Sequence, residues 1–261
     1  MHVRGSSLKK WHIAIGIIMF LVSATTFALT LYFPNILFPL PLTTDFGGTT
    51  TTSFLLPTTW LLAAAALVSS VVHLYYAADK ARWRHYFELL MINKDAFNHR
   101  MARHVNTVRW CLYAVFGSLL LWPLAQHVGV SNIFLLFGLV VANLYLQRSA
   151  YILEIANAMA KNTDSVNIFP FFAAMPAWLF AWATVLVYLF ANPSGVSIWI
   201  WIAAIGQFLV SVAFGAVALM RYYRIDNMWK KDRNVEKAYI LLEILITVVT
   251  VVPILIFGLT L

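Results

Sequence analysis

A charge placed in hydrocarbon is costly, so any side chain able to carry one inside a long apolar stretch is a candidate for function. The sequence offers few. Glu243 lies well inside the apolar run that closes the chain, with Thr247 four residues later on the same helical face. His73 lies toward the end of an earlier run, and Ser69 sits one helical turn before it. Glu243 must find a partner, carry a proton or face water. Together with Gln207, these residues could line a proton or ion path if their faces meet, although their number is small for a pore. Arg109, Arg148, Glu154 and Glu236 stand near the ends of apolar runs and read as snorkelling or ion-paired groups.

Catalysis has no such foothold. The sequence contains no HExxH, no nucleophile elbow, no phosphate-cradling glycine loop and no Cys/His pattern spaced for a metal. Its seven histidines are scattered. Neither a catalytic residue nor a metal site is expected, and the protein does not read as an enzyme.

The elements that must position these groups follow from composition. Of 261 residues, 62% are hydrophobic and 11% charged, too little charge to cover a soluble domain of this size. Several apolar blocks reach the roughly 20 residues that span a bilayer as a helix. The expected fold is an all-α integral membrane bundle of seven transmembrane helices forming one domain over residues 1–261. The spans fall at about 13–33, 54–78, 108–127, 133–158, 169–190, 198–222 and 238–259. The first run has basic residues before it, as a signal peptide does, but from Trp11 to Phe33 it is too long for one and reads as an anchor.

The net charge of +8 does not point to nucleic acid, because the basic residues sit between apolar blocks, where juxtamembrane charges belong. All 18 Lys and Arg residues fall on the side of the membrane that holds the amino terminus. By the positive-inside rule that side is cytoplasmic and the carboxyl terminus lies outside. Cys111, the single cysteine, has no partner for an intramolecular disulfide.

Two connections have character of their own. Residues 39–57 carry Thr-rich segments on either side of Gly47-Gly48, which suits a short external hairpin as well as an irregular polar loop. Residues 80–104 mix basic side chains with Trp83, Tyr86, Phe87 and Leu90, as an amphipathic helix lying on anionic lipid does. A cytoplasmic protein partner is an alternative use of that segment.

Four stretches together resemble the heliorhodopsin family, seven-helix retinal-binding membrane proteins whose amino terminus is inside. Arg109-Trp110 with Tyr113 is similar to the opening of the family's third helix. Asn143, Gln147 and Glu154 resemble its fourth, and Ser69 with His73 a serine and histidine of its second. Glu236-Lys237-Ala238-Tyr239-Ile240 resembles the Glu-Arg-Ala-Tyr-Ile that opens its seventh. The resemblance implies a rhodopsin-like bundle, and dimers as in the family.

The same resemblance exposes departures. The family's Schiff-base lysine falls on Thr247, the serine one turn before it on Glu243, and the carboxylate counterion on Leu112. A histidine of the family's first helix falls near Ile18, and the connection between spans two and three is longer than usual. Lysines occur only at positions 9, 10, 80, 94, 161, 230, 231 and 237, so no mid-membrane stretch contains one. A retinylidene link needs a desolvated amine, which threonine lacks. Loss of both residues is coherent, because a carboxylate at position 112 would have no cation to neutralise.

The expectation is therefore a heliorhodopsin-like multi-pass membrane protein without covalent retinal, a light-independent sensor, scaffold or partner-binding module. A proton or ion path around Glu243 is the first alternative. A pocket holding retinal, a carotenoid or a lipid non-covalently is the second; Trp199 and Trp201 are among the aromatics that suit it.

Overall fold

In hydrocarbon each backbone amide must be satisfied within its own segment, so apolar runs of this length become helices. The computed structural model describes residues 6–33, 39–46, 49–77, 106–157, 166–191, 193, 195–223, 229 and 232–260. The helices are α1 (Ser6–Tyr32), α2 (Thr58–Ala77), α3 (Thr107–His127), α4 (Ile133–Asn157), α5 (Phe169–Ala191), α6 (Ile198–Tyr223) and α7 (Asp232–Leu259). Among the described residues, all seven are long and apolar enough to cross a membrane. The basic segment 80–104 lies outside the described residues.

Three boundaries differ from those expected. Helix α1 begins at Ser6 and α7 at Asp232, each more than a turn before the hydrophobic run. Helical hydrogen bonding continues through the polar ends, which a hydropathy profile cannot register. Span two was expected from Phe54, but Phe54–Pro57 is strand and the helix starts only after Pro57.

Those residues belong to a hairpin of β1 (Pro39–Phe46) and β2 (Thr49–Pro57), antiparallel from Pro39↔Pro57 to Phe46↔Thr49. Its register shifts between Leu42 and Thr43. There the hairpin meets the α3–α4 connection: the Thr43 amide donates to the Ser131 carbonyl at 2.9 Å, and Leu42 is fully buried in the main core. Gly129, at φ +108°, makes the turn of that connection in a backbone conformation that suits glycine.

Helices α1 and α2 pack antiparallel and close. A Cβ on Gly16 would stand 2.8 Å from the Leu74 side chain, so glycine permits the approach. Ser70 Oγ donates to the Gly16 carbonyl and Ser23 Oγ to the Ala63 carbonyl, both at 2.8 Å. Hydroxyl-to-carbonyl bonds between helices suit a bilayer interior, where water does not compete. Outward faces carry Phe20, Leu31, Phe137, Val187 and Leu209, a belt facing lipid. Ile18 also faces outward, 43% exposed.

Candidate functional site

The spacing of Ser69 and His73 places both on one face of α2, and α7 lays Glu243 against that face. Ser69 Oγ donates to Glu243 Oε1 at 2.6 Å, and His73 Nε2 meets Glu243 Oε2 at 3.0 Å. His12, from the first turns of α1, brings its Nδ1 to 2.8 Å from His73 Nδ1. Glu243 is completely buried and His73 is 3% exposed. The two Nδ1 atoms are close enough to share one proton, an arrangement in which His73 Nε2 donates to Glu243 Oε2. The row is fully bonded whether His73 is neutral, accepting from His12, or charged, donating to both.

Thr247 joins this cluster only through the backbone: its hydroxyl donates to the Glu243 carbonyl oxygen at 2.8 Å. Leu112 is buried among apolar side chains of the main core. His12 supplies the first-helix imidazole, six positions before Ile18, and stands next to the hydrophobic run. The signal that finds it is continuation of α1 toward the amino terminus.

A second cluster closes the same end of the bundle. Arg109, 3% exposed, pairs with both Glu154 and Glu236, and Arg221 pairs with Glu154 as well. Glu154 Oε2 also accepts from Trp110 Nε1 at 2.8 Å and from the Asn106 amide at 2.9 Å. Two guanidinium groups thus face two carboxylates, and the cluster balances its charge. The Arg109 guanidinium lies 4.7 Å from the centre of the Trp110 ring and 4.5 Å from that of Tyr239, a cation–π sandwich. Asn106 caps α3 by accepting from the Arg109 amide at 3.1 Å. Arg148 is exposed, as a snorkelling group is, and takes no part; Arg221, which the sequence alone did not single out, supplies the second guanidinium.

The two clusters connect. His12 stacks on Tyr76 at 4.9 Å, and the Tyr76 hydroxyl donates to Asn106 Oδ1 at 2.5 Å. Polar contacts therefore run from Ser69 and Glu243 through both histidines to the Arg109 cluster. Beyond Ser69, α2 presents buried Ala66, Ala65 and Leu62.

Across the bundle, the interior is hollow. A cavity of about 410 Å³ lies among α3, α4, α5, α6 and α7. Trp178, Trp182, Tyr113, Phe214 and Tyr239 wall it, and among the described lining residues none is charged. Glu243, Ser69, His73, Thr247 and Leu112 are not among its lining residues, and neither are Trp199 and Trp201. Helix α7 contributes Tyr239 and Ile246, one turn before and one turn after Glu243 on neighbouring positions of the same face, so the cavity and the histidine–glutamate row adjoin one stretch of that helix without sharing a lining residue.

Among the described residues, no group of three His, Cys, Asp or Glu side chains is placed to hold a metal ion. The family model for heliorhodopsin matches residues 8–259, which is nearly the whole chain. No curated protein matches it.

Proposed function

Because the chain belongs to the heliorhodopsin family, we propose that it keeps the bundle without the photochemistry, as a light-independent sensor or scaffold that binds an apolar molecule non-covalently. The cavity carries this reading. Its volume falls within the range of small-molecule sites, its walls are aromatic, and no lysine is among its lining residues. The only lysines on the described helices, Lys9, Lys10 and Lys237, lie within the first two turns. The residues present do not fit a retinylidene link: Thr247 offers a hydroxyl bonded to the Glu243 carbonyl, and Leu112 offers no carboxylate.

Expression with added retinal tests it. The purified protein is expected to show no visible band that hydroxylamine shifts, and mass spectrometry of gently purified protein to show an apolar molecule that co-purifies. A hydroxylamine-sensitive pigment would sink the proposal. In the same reading the amino terminus and the Arg109 cluster face the cytoplasm, supported by the distribution of Lys and Arg. Protease protection of an amino-terminal tag in sealed cells is the check. A homodimer and a cytoplasmic partner at residues 80–104 belong to this reading as proposals; cross-linking with and without that segment tests both.

A second reading, proton movement, is favoured by the bonded row from Ser69 through Glu243, His73 and His12. Proton flux into liposomes that falls with Glu243→Gln would support it, and flux unchanged by that variant would remove it.

A further inference from the structure

The cavity contains polar groups whose hydrogen bonds can be accounted for one at a time. Asn143 Nδ2 donates to the Ala114 carbonyl and to Ser118 Oγ, each at 3.0 Å, and its Oδ1 accepts from Gln147 at 3.3 Å. Ser211 accepts from Trp178 Nε1 at 3.1 Å and donates to the Phe208 carbonyl at 2.7 Å. Both are satisfied. Gln147 is only partly buried, so no buried group is stranded there.

Gln207 differs. It is 3% exposed, lines the cavity from α6, and its Oε1 accepts from the Thr250 hydroxyl at 3.1 Å. Thr250 is completely buried, and among the described residues its hydroxyl has no other acceptor. With the Thr250 hydroxyl donating, Oε1 faces Thr250 and Nε2 is left over. No partner for Nε2 is found among the described residues. On the cavity wall, an N–H without a protein acceptor gains a hydrogen bond from a ligand oxygen.

The cavity is also elongated. Its α6 wall runs from Gln207 to Leu219, about 18 Å at roughly 1.5 Å per residue. Tyr239 lines it toward the other end. With no charged lining residue described, an ionised ligand would be desolvated without a counter-charge.

We infer that the cavity selects a neutral, elongated, apolar molecule bearing a hydrogen-bond acceptor oxygen, held by Gln207 Nε2. This rests on the non-covalent reading above and names its ligand class. The amide held by Thr250 replaces covalent attachment as the feature that orients the ligand.

Two probes of nearly equal size separate the ideas. Retinyl methyl ether carries an acceptor oxygen and no donor, and axerophtene is the corresponding hydrocarbon; neither can form a Schiff base. Binding to the full-length protein in nanodiscs is read by tryptophan quenching, corrected for partition into empty nanodiscs. The ether is expected to bind about tenfold more tightly than the hydrocarbon, the upper range for one neutral hydrogen bond. Gln207→Leu should erase that difference and leave hydrocarbon binding in place. Equal affinity of the two probes for the unmodified protein would overturn the role of Gln207 while leaving the apolar site standing. That comparison needs no variant, so it decides even if Gln207→Leu fails to fold. Binding of neither probe would overturn both the ligand class and the non-covalent reading beneath it.

Discussion

Two regions that meet along α7 solve opposite problems. Toward α1 and α2, polar side chains are packed tightly and bonded to one another, and Glu243 is completely buried with His73 and Ser69. Toward α3 to α6, apolar side chains leave space. Where polar groups are buried, empty volume would expose unsatisfied atoms, so the helices close on them. Where the walls are aromatic, a cavity loses only dispersion contacts, and a ligand can restore those. Storage of charge and storage of volume thus adjoin the same stretch of one helix, with Glu243 between Tyr239 and Ile246 in sequence and absent from the cavity's lining. In this chain no lysine lies mid-helix on α7 to join them.

The largest break in this contrast is expected at Arg109. Among the described residues, Arg109→Leu leaves Arg221 as the one guanidinium at Glu154 and removes the cation at Glu236, and should destabilise the bundle by about 3–5 kcal/mol. Arg148→Leu, on an exposed position, should stay within about 0.5 kcal/mol. Unfolding in mixed micelles with increasing SDS compares the two, and equal effects would remove the distinction between the cluster and the surface.

Next is the histidine–glutamate row. Glu243→Leu strands His73 Nε2 and the Ser69 hydroxyl and should cost about 2–3 kcal/mol, whereas Glu243→Gln keeps an acceptor for one of them and should cost about half as much. The same SDS titration reads the ranking. Gln costing as much as Leu would mean that charge, rather than hydrogen bonding, holds the row.

On the hollow side, the sign depends on occupancy. Ala181 lines the cavity, so Ala181→Leu should raise the stability of ligand-free protein by about 1 kcal/mol, at roughly 24 cal/mol per Å³ of volume filled. It should lower the amount of co-purifying apolar molecule at the same time. Thermal unfolding together with extraction and mass spectrometry measures both.

The smallest effect is expected at Gln126, buried near the far end of α3. Neither its Oε1 nor its Nε2 has a partner among the described residues, and Thr26 and Thr59 carry unpaired buried hydroxyls as well. Gln126→Leu should therefore be neutral or stabilising by up to about 1 kcal/mol. A loss well beyond that in SDS unfolding would reveal internal water bound to the amide.

Much was legible before any coordinates. Seven apolar runs fixed the number of crossings to within a few residues, and Ser69 and His73 could be placed on one face from spacing alone. Motif order along the chain pointed to the family. Glu243 stood out because a carboxylate in hydrocarbon demands explanation wherever it points.

What tertiary structure decided was who meets whom. Helices apolar on every side carry little periodic signal to distinguish lipid from core, so their rotation cannot be read from hydrophobicity. Rotation turned His12 inward onto His73, although it stands outside the hydropathic span, and turned Ile18 outward. It brought Arg221 to Glu154 across the bundle, and it gave the cavity to Trp178 and Trp182 rather than Trp199 and Trp201. The sequence by itself determined that the chain crosses a membrane as helices and has no mid-membrane amine, because hydrophobic length and residue identity are local properties. Packing alone decided that Glu243 has a histidine partner and that the space lies among α3 to α7 without it, because both depend on the relative rotation of helices distant in sequence.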